Sequence, residues 1–529
     1  MQVAARGADL LVDRLIELGV GYMFTLSGNQ ILSVFDATIG RDIELIHTRH
    51  EAAAVHMADA WGRLTDTPGV ALLTAGPGHC NGLSALYVAL MEESPVVMLS
   101  GQSPLVQKGR GAFQEIDQVA MASQVTKASW AVETTYALPL AVGRAFDIAT
   151  SGRPGPVHLS LPSDVLEGPA SAQTPEDITD EGSEASGNLS GQILDSLEKS
   201  ERPLILAGPA MGRGNRWSGV EKLSEITGIP ALPMESPRGI NDPWLHRATN
   251  RLSEADLVLL AGKKLDFSLK FGESPFFDEH CRFIQIEADE HQLVDSDAVL
   301  PVLCDDPSRV IEALSESFGD SRSDWQSWKT DVMRSRQSRP EEWTSRSGDG
   351  IHPLDVCVAL EPYLGAKGVI VSDGGEFGQW IQAGIEADIR LINGPSGAIG
   401  SGLPMALAAK LVDRSRDVFV FLGDGTFGFH ALELETAVRY DIPVVVIVGN
   451  DARWNAEHQL QIENYGSDRT VGCDLLPTRY DRLAEALGGV GEQVDRADEI
   501  APAADRAVAS GLPAVINVAI QSVGAPVFR

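Results

Sequence analysis

A Gly-Asp-Gly turn after one apolar run, and a polar pair after the next, constrain the fold of this chain more than any other feature. The turn (Gly-Asp-Gly-Thr, 423–426) follows the run 418–422, and the pair (Asn-Asp, 450–451) follows the run 444–448. Such continuous apolar runs are typical of strands buried in a parallel sheet. Asp424 and Asp451 are then expected at the same edge, where α/β sheets bind ligands.

The residues of this turn favour a phosphate together with a divalent cation. Its glycines let the backbone approach a phosphate closely, and a helix after the turn points its positive N-terminus toward that phosphate. A carboxylate beside a phosphate predicts a shared cation, most simply Mg²⁺, which prefers oxygen ligands. An ordinary strand–helix turn explains the Gly-Asp-Gly triplet alone, but explains less well the run 433–439 and Asn450 that follow in register.

Apolar strand-like runs alternate with helix-like runs in three segments of the chain, which predicts α/β domains with parallel sheets. The predicted domains are 1–168, 189–325 and 351–529, separated by polar linkers at 169–188 and 326–350. The predicted strands are 21–24, 70–74, 96–100 and 157–161, then 204–206, 257–260 and 283–286, then 369–372, 418–422, 444–448 and 514–518.

Charge and composition exclude several kinds of partner. A net charge of −32 argues against nucleic acid, whose phosphates would be repelled. No apolar stretch is long enough to span a membrane, and the N-terminus shows no secretory signal. The five cysteines are scattered without metal-ligand spacing or a disulfide framework, so a reducing cytoplasm is expected.

The stretch 423–451 resembles the thiamine diphosphate motif, in which Gly-Asp-Gly is followed by a spacer and Asn-Asn. The resemblance implies that Asp424, Asp451 and the backbone carbonyl of Arg453 bind Mg²⁺. This chain departs from the motif at one position, because Asp451 stands where Asn is usual. A second carboxylate near a diphosphate adds negative charge that the cation must offset, although Asp still supplies an oxygen ligand.

The resemblance covers nearly the whole chain and is closest to the acetolactate synthase-like group, which includes benzaldehyde lyase and the 2-hydroxyacyl-CoA lyases. The segments that carry it are 76–81, 114–121, 153–157, 262–267 and 393–400. It implies three doubly wound parallel-sheet domains: pyrimidine-binding, central and diphosphate-binding. The cofactor-bordering residues that it implies are Gly375, Glu376, Phe377, Ala398, Ile399, Gly423, Asp424, Gly425, Thr426 and Asp451. The region 243–249 lacks the flavin-contacting pattern of anabolic acetolactate synthases, which argues against FAD.

Glu51 lies where a strand-like run gives way to an Ala-rich helix. That position alone suits a carboxylate favoured by the helix dipole. The resemblance implies instead that Glu51 hydrogen-bonds N1′ of the cofactor pyrimidine and promotes loss of the thiazolium C2 proton. In this family the Glu serves the diphosphate site of the neighbouring subunit, so a homodimer or homotetramer is expected.

The residues that would face the substrate have two interpretations. Asn29, Gln30 and Gln114 either form an amide-lined pocket, which binds a carbonyl or carboxylate but carries protons poorly, or belong to capped turns. Benzaldehyde lyase has a His where Gln30 stands. His79 is either a proton carrier or a structural histidine.

The resemblance implies a transferase or lyase that forms or cleaves C–C bonds next to the carbonyl of a small molecule. Acetolactate synthase-like action on 2-keto acids is the first expectation, benzaldehyde lyase-type acyloin chemistry the second, and 2-hydroxyacyl-CoA lyase the third. A degenerate cofactor-binding regulatory subunit is the non-enzymatic alternative. Retention of Glu51 and Asp424 argues against that alternative.

Overall fold

The computed structural model describes residues 5–170, 188–318, 325–337, 350–364 and 368–526. Three sheets with helices between their strands make up these residues, and every strand pair within them is parallel. The predicted α/β class with three parallel-sheet domains is therefore confirmed. No helix of the described ranges is both long and apolar enough to cross a membrane.

The first sheet has the strand order β2-β1-β3-β4-β6-β5. Its strands are β1 Tyr22–Thr25, β2 Glu44–His47, β3 Gly69–Leu73, β4 Val96–Gln102, β5 Ala128–Ala131 and β6 Val157–Pro162. Its helices are α1 Gly7–Glu17, α2 Leu32–Ala37, α3 Glu51–Thr65, α4 Pro77–Met91, α5 Gln118–Ala122, α6 Leu138–Thr150 and α7 Ser163–Glu167. The inner strands β3, β4 and β6 are buried along nearly their whole length, as continuous apolar runs predict.

The central sheet has the order β11-β10-β9-β7-β8. Its strands are β7 Pro203–Ala207, β8 Ala231–Pro233, β9 Leu257–Ala261, β10 Arg282–Glu287 and β11 Val299–Leu303. Its helices are α8 Asn188–Glu198, α9 Gly214–Thr227, α10 Pro307–Phe318 and α11 Gln326–Gln337. Two buried clusters pack around this sheet.

The third sheet has the order β13-β12-β14-β15-β17-β16, which repeats the order of the first. Its strands are β12 Val369–Ser372, β13 Ile389–Ile392, β14 Val418–Gly423, β15 Val445–Asn450, β16 Val490–Val494 and β17 Ala514–Ala519. The helices in this part of the sequence are α12 Pro353–Leu364, α13 Gly375–Gly384, α14 Gly402–Val412, α15 Asp424–His430, α16 Glu433–Arg439, α17 Asn455–Tyr465, α18 Tyr480–Ala486 and α19 Ile500–Ser510.

The region predicted as the second linker is 326–350. Its first half is not a linker, because it forms α11. Trp328 and Val332 of this helix are buried in the core of the central sheet, and the Trp328 indole N–H donates to the Pro203 carbonyl at 2.9 Å. Residues 338–349 of that linker, and 171–187 of the first one, lie outside the described residues. The domain limits themselves remain predictions.

The contacts divide the described residues into two compact units that do not follow the order of the sheets. One unit contains the first sheet together with Leu403–Ser415 and His430–Pro443. The other contains the central and third sheets. Helix α16 therefore belongs to the unit of the first sheet, although its sequence lies between β14 and β15.

Candidate active site

Two carboxylates follow neighbouring strands at one edge of the third sheet. Strands β14 and β15 pair in parallel, with Gly423 opposite Gly449, and the next turns carry Asp424 and Asp451. The carboxyl ends of parallel strands form the ligand-binding edge of such a sheet. The expected placement of both carboxylates at that edge is confirmed.

Asp424 is the first residue of α15 and is only 1% exposed. One carboxylate oxygen accepts the backbone N–H of Arg453 at 3.1 Å, so the turn after β15 is tied to the turn after β14. Burial raises the pKa of Asp424 to about 6, against the opposing effect of backbone N–H donors that include Arg453 and Gly425.

Asp451 experiences the charge of its neighbour. Burial and then the carboxylate of Asp424 raise the pKa of Asp451 to about 7, while the Ser522 hydroxyl and Arg453 lower it. The Arg453 guanidinium also donates to Asp474 at 3.0 Å, so its charge is shared with a third carboxylate. Two adjacent carboxylates with raised pKa values fit a site that a divalent cation completes.

A metal held at this edge would need ligands besides the carboxylates of Asp424 and Asp451. Within the described ranges, no group of three or more His, Cys, Asp or Glu side chains is placed to hold a metal. Mg²⁺ at Asp424 and Asp451 would need further oxygens from the backbone, water or a bound diphosphate. Mg²⁺ sites at phosphates are commonly built with few protein carboxylates.

A cleft of about 490 Å³, part of it open to solvent, lies at this edge of the sheet. The site residues from the sequence that line it are Gly375, Glu376, Phe377, Ile399, 423–426, Asp451 and Arg453. Ala398 lies beside Ile399, and its carbonyl accepts the Asn393 amide at 3.0 Å. Sequence reasoning missed the residues of the far wall, 454–457.

Two glycines of the cleft are required by close packing. A Cβ on Gly425 would lie 2.6 Å from the Trp454 ring, and one on Gly449 would lie 2.5 Å from the Phe377 ring. Neither distance is tolerated between carbon atoms, so the second glycine of the turn has a steric reason as well as a phosphate-binding one.

Asp373 is a structural carboxylate of this site that sequence reasoning missed. It follows β12 and is fully buried, and it accepts the backbone N–H groups of Gly374 at 2.7 Å, Gly400 at 3.0 Å and Gly402 at 2.9 Å. These bonds hold the loop after Ile399 at the end of β12. Burial raises the pKa of Asp373 to about 6. Its position after a strand, matching that of Asp424, was the available signal.

Glu51 lies in the other unit, as the first residue of α3, and is 8% exposed. Its carboxylate accepts the Asn81 side-chain amide of α4 at 3.0 Å. The first turn of α4 passes so close that a Cβ on Gly78 would lie 3.3 Å from the other Glu51 oxygen. Among the described residues, Glu51 is therefore a buried carboxylate held by one amide donor.

Models of one enzyme family match all three domains. They are described as the N-terminal TPP (thiamine pyrophosphate) binding domain over 5–121, the central domain over 191–314 and the C-terminal TPP binding domain over 373–518. The acetolactate synthase large subunit IlvG of Mycobacterium tuberculosis is 34% identical over 96% of this chain and 94% of its own length.

The chain belongs to the thiamine pyrophosphate enzyme family. It falls in the acetolactate synthase-like group, as the motifs indicated. The 2-hydroxyacyl-CoA lyase of Arabidopsis thaliana is 32% identical over 97% of the chain and 95% of its own length. The acetolactate synthase of Bacillus subtilis is 30% identical over 98% and 94%. The protein is therefore a thiamine diphosphate-dependent enzyme that acts on carbonyl substrates.

In this thiamine pyrophosphate enzyme, two of the three predicted amides are in direct contact. The Gln30 amide N–H donates to Gln114 at 3.0 Å, and the Thr74 hydroxyl donates to the Gln30 oxygen at 2.7 Å. Gln114 has a φ of 60°, a left-handed conformation that is uncommon away from glycine and concentrates at functional sites. Asn29 precedes Gln30 but is exposed.

Gln118 supports the loop that leads into α4 and was not singled out from the sequence. Its side-chain oxygen accepts the Gly76 N–H at 2.9 Å, and its amide donates to the Gly101 carbonyl at 3.0 Å and to Ser160 at 3.1 Å. It is 2% exposed. A single amide thus joins the Gly76 loop to the ends of β4 and β6.

His79 is enclosed in the first domain. It is fully buried, its Nδ1 lies 3.0 Å from the Ser100 hydroxyl, and its ring centroid lies 4.7 Å from that of His158. Burial lowers the pKa of His79 to about 4. A neutral, enclosed imidazole is a poor proton carrier at neutral pH, so these contacts favour the structural interpretation.

Proposed function

We propose that this enzyme is an Mg²⁺-requiring carboligase that joins 2-keto acids, as an acetolactate synthase does. The observation that carries the cofactor site is the pair of carboxylates beside the glycine turn, the buried Asp424 and the half-buried Asp451. The similarity to relatives named acetolactate synthase, over nearly the whole chain, supports the choice of substrate.

The residues of the cleft would hold the cofactor's diphosphate end. The backbone of 423–426 would receive the phosphates, and Asp424, Asp451 and the Arg453 carbonyl would hold Mg²⁺. Ile399, a large apolar residue on the cleft wall, would support the rings of the cofactor. When bound, thiamine diphosphate supplies the nucleophilic carbon and the electron sink for bond changes next to a carbonyl.

Glu51 would hold and share the proton at N1′ of the pyrimidine. Burial and the single Asn81 donor keep this carboxylate out of bulk water, which suits a group that must exchange one proton with a ring nitrogen. The amides of Gln30 and Gln114 would bind the substrate carbonyl or carboxylate without taking a proton from it.

Assembly and location are part of the proposal. A homodimer or homotetramer would let Glu51 of one subunit serve the diphosphate site of its neighbour. A cytoplasmic location is supported by the five cysteines, all of which are free thiols. The pyrimidine-binding, central and diphosphate-binding domains would span 1–168, 189–325 and 351–529, limits that contain the three family matches.

A 2-hydroxyacyl-CoA lyase is the second candidate, favoured by the relative of that name that matches 97% of the chain. One substrate screen separates the two. Purified enzyme with thiamine diphosphate and Mg²⁺ is given pyruvate, 2-ketobutyrate, benzaldehyde with pyruvate, benzoin, or a 2-hydroxyacyl-CoA, and CO₂, acyloins and acyl-CoA products are measured.

Release of CO₂ with formation of a 2-hydroxy-2-methyl keto acid is the expected result, and it should disappear in Glu51→Gln. Cleavage of the 2-hydroxyacyl-CoA without turnover of 2-keto acids would overturn the proposal in favour of the lyase. Cleavage of benzoin alone would favour benzaldehyde lyase-type chemistry.

A further inference from the structure

We infer that Glu433 is a positioning residue for Glu51, an inference that rests on the proposed role of Glu51. Glu433 opens α16 and is 1% exposed. It lies 382 positions after Glu51 in the sequence, yet belongs to the same compact unit. It touches the backbone that leads into α3 rather than Glu51 itself.

The Glu433 carboxylate accepts the two backbone N–H groups that precede Glu51. One oxygen accepts Arg49 N–H at 3.0 Å and His50 N–H at 3.1 Å. The other oxygen accepts Arg49 N–H at 3.2 Å and the Thr436 hydroxyl at 2.6 Å. A buried carboxylate is costly unless its oxygens are bonded, and here both are bonded, chiefly to this one segment.

A second side chain of the same region holds the other end of the segment. The Tyr440 hydroxyl accepts the His47 N–H at 2.9 Å, where β2 ends. Glu433 and Tyr440 together therefore hold the whole connection from β2 to α3, which is only three residues long. The first turn of α3 is closed in turn by His50, whose Nδ1 accepts the Ala52 N–H at 3.1 Å.

This arrangement leaves Glu51 little backbone freedom. The backbone just before Glu51 is held by Glu433, which accepts the His50 N–H. The Glu51 carboxylate is held by the Asn81 amide at 3.0 Å. A displacement of about 1 Å in a reacting group can lower a rate about a hundredfold. Loss of the Glu433 contacts should therefore impair the proton handling of Glu51 before it impairs cofactor binding.

The variants are Glu433→Gln and Glu433→Ala, each also made in the Glu51→Gln background. Gln replaces one acceptor oxygen by an NH₂ group, which faces N–H donors and cannot accept from them. Asp256→Asn is the matched control. Asp256 likewise accepts two consecutive backbone N–H groups, of Glu201 at 2.7 Å and Arg202 at 3.0 Å, and the Ser200 hydroxyl, but does so in the central domain.

Four quantities are measured on holoenzyme. They are the rate at which the cofactor's C2 proton exchanges with deuterium, by acid-quench NMR, the thiamine diphosphate Kd, and kcat and KM for the keto-acid donor. We expect Glu433→Gln to slow C2 exchange and kcat by about tenfold or more, with Kd and KM within about threefold. In the Glu51→Gln background, Glu433→Gln should add little, because the group it positions is already gone.

The inference is overturned if C2 exchange in Glu433→Gln stays within about twofold of wild type, if Asp256→Asn slows it equally, or if the Glu433 and Glu51 effects are fully additive. Should Glu433→Ala fail to fold, Glu433→Gln alone decides. The proposed role of Glu51 fails separately: Glu51→Gln would then leave C2 exchange at the wild-type rate.

Discussion

Asp424 lies near enough to Asp451 for its carboxylate to raise the pKa of Asp451, in addition to the effect of burial. The two residues follow paired positions of β14 and β15, so the sheet itself brings like charges together. A cation bound between the two carboxylates would offset this repulsion. That relationship connects the unusual Asp451 with the proposed binding of Mg²⁺.

Mg²⁺ affinity should therefore fall steeply with acidification. Metal ligands must be deprotonated, and the pKa values of Asp451 and Asp424 are about 7 and about 6. We expect affinity to increase between about pH 6 and 8 and to decrease below that range as both carboxyls take up protons. The Mg²⁺ affinity is measured by titrating Mg²⁺ into wild type at several pH values. Binding is followed by intrinsic tryptophan fluorescence from residues such as Trp454.

The variant Asp451→Asn should keep thiamine diphosphate binding, because an amide oxygen still reaches the metal and the repulsion with Asp424 disappears. Its Mg²⁺ affinity should respond to pH only near the pKa of Asp424. Complete loss of cofactor binding in Asp451→Asn, measured by calorimetry, would remove Asp451 from the metal shell.

Gln114 should contribute through its amide rather than through its backbone. Gln114→Leu breaks the bond with Gln30 and is expected to lower kcat/KM for the donor by about ten- to a hundredfold. Gln114→Asn, which tolerates a left-handed φ but has a shorter reach, should fall between the two. Equal kcat/KM values for Gln114→Leu and wild type would contradict a role for the amide and would leave Gln114 only a structural role in the turn.

His79 should make the folded state sensitive to acid. The pKa of His79 is about 4 in the folded chain, against an ordinary value of 6.5. Between these two pH values the folded state therefore binds fewer protons than the unfolded state. Its contribution to stability is complete above pH 6.5 and is lost as the pH falls toward 4, at up to about 1.4 kcal/mol per pH unit. His79→Gln should flatten the pH dependence of the unfolding free energy, measured in urea, below pH 6.5.

The strands that the sequence predicted and the strands that it missed differ in position. All eleven predicted runs lie in inner strands, where burial on both faces gives a continuous apolar pattern. The missed strands are the edges of the three sheets: β2 and β5, β8 and β11, and β13 and β16. Edge strands are part exposed, as in β5 and β16, so their composition resembles that of loops.

The candidate site shows the same division. Asp424 and Asp451 were predictable because glycines and apolar strands surround them in the sequence. Gln118 and Glu433 were not, because each acts by bonding backbone groups that only the folded chain brings near. The burial of Trp328 was not predicted for a related reason. Polar and charged residues dominate the sequence of α11, although one face of this helix is buried.

Calorimetric titration of thiamine diphosphate into chelator-treated enzyme, with and without Mg²⁺, tests the central claim most directly when wild type is compared with Asp424→Asn. We expect about one cofactor per chain in wild type with Mg²⁺, and binding weakened about a hundredfold or more when either Mg²⁺ or the Asp424 carboxylate is removed. Tight binding of thiamine diphosphate to Asp424→Asn, or binding independent of Mg²⁺, would contradict the account.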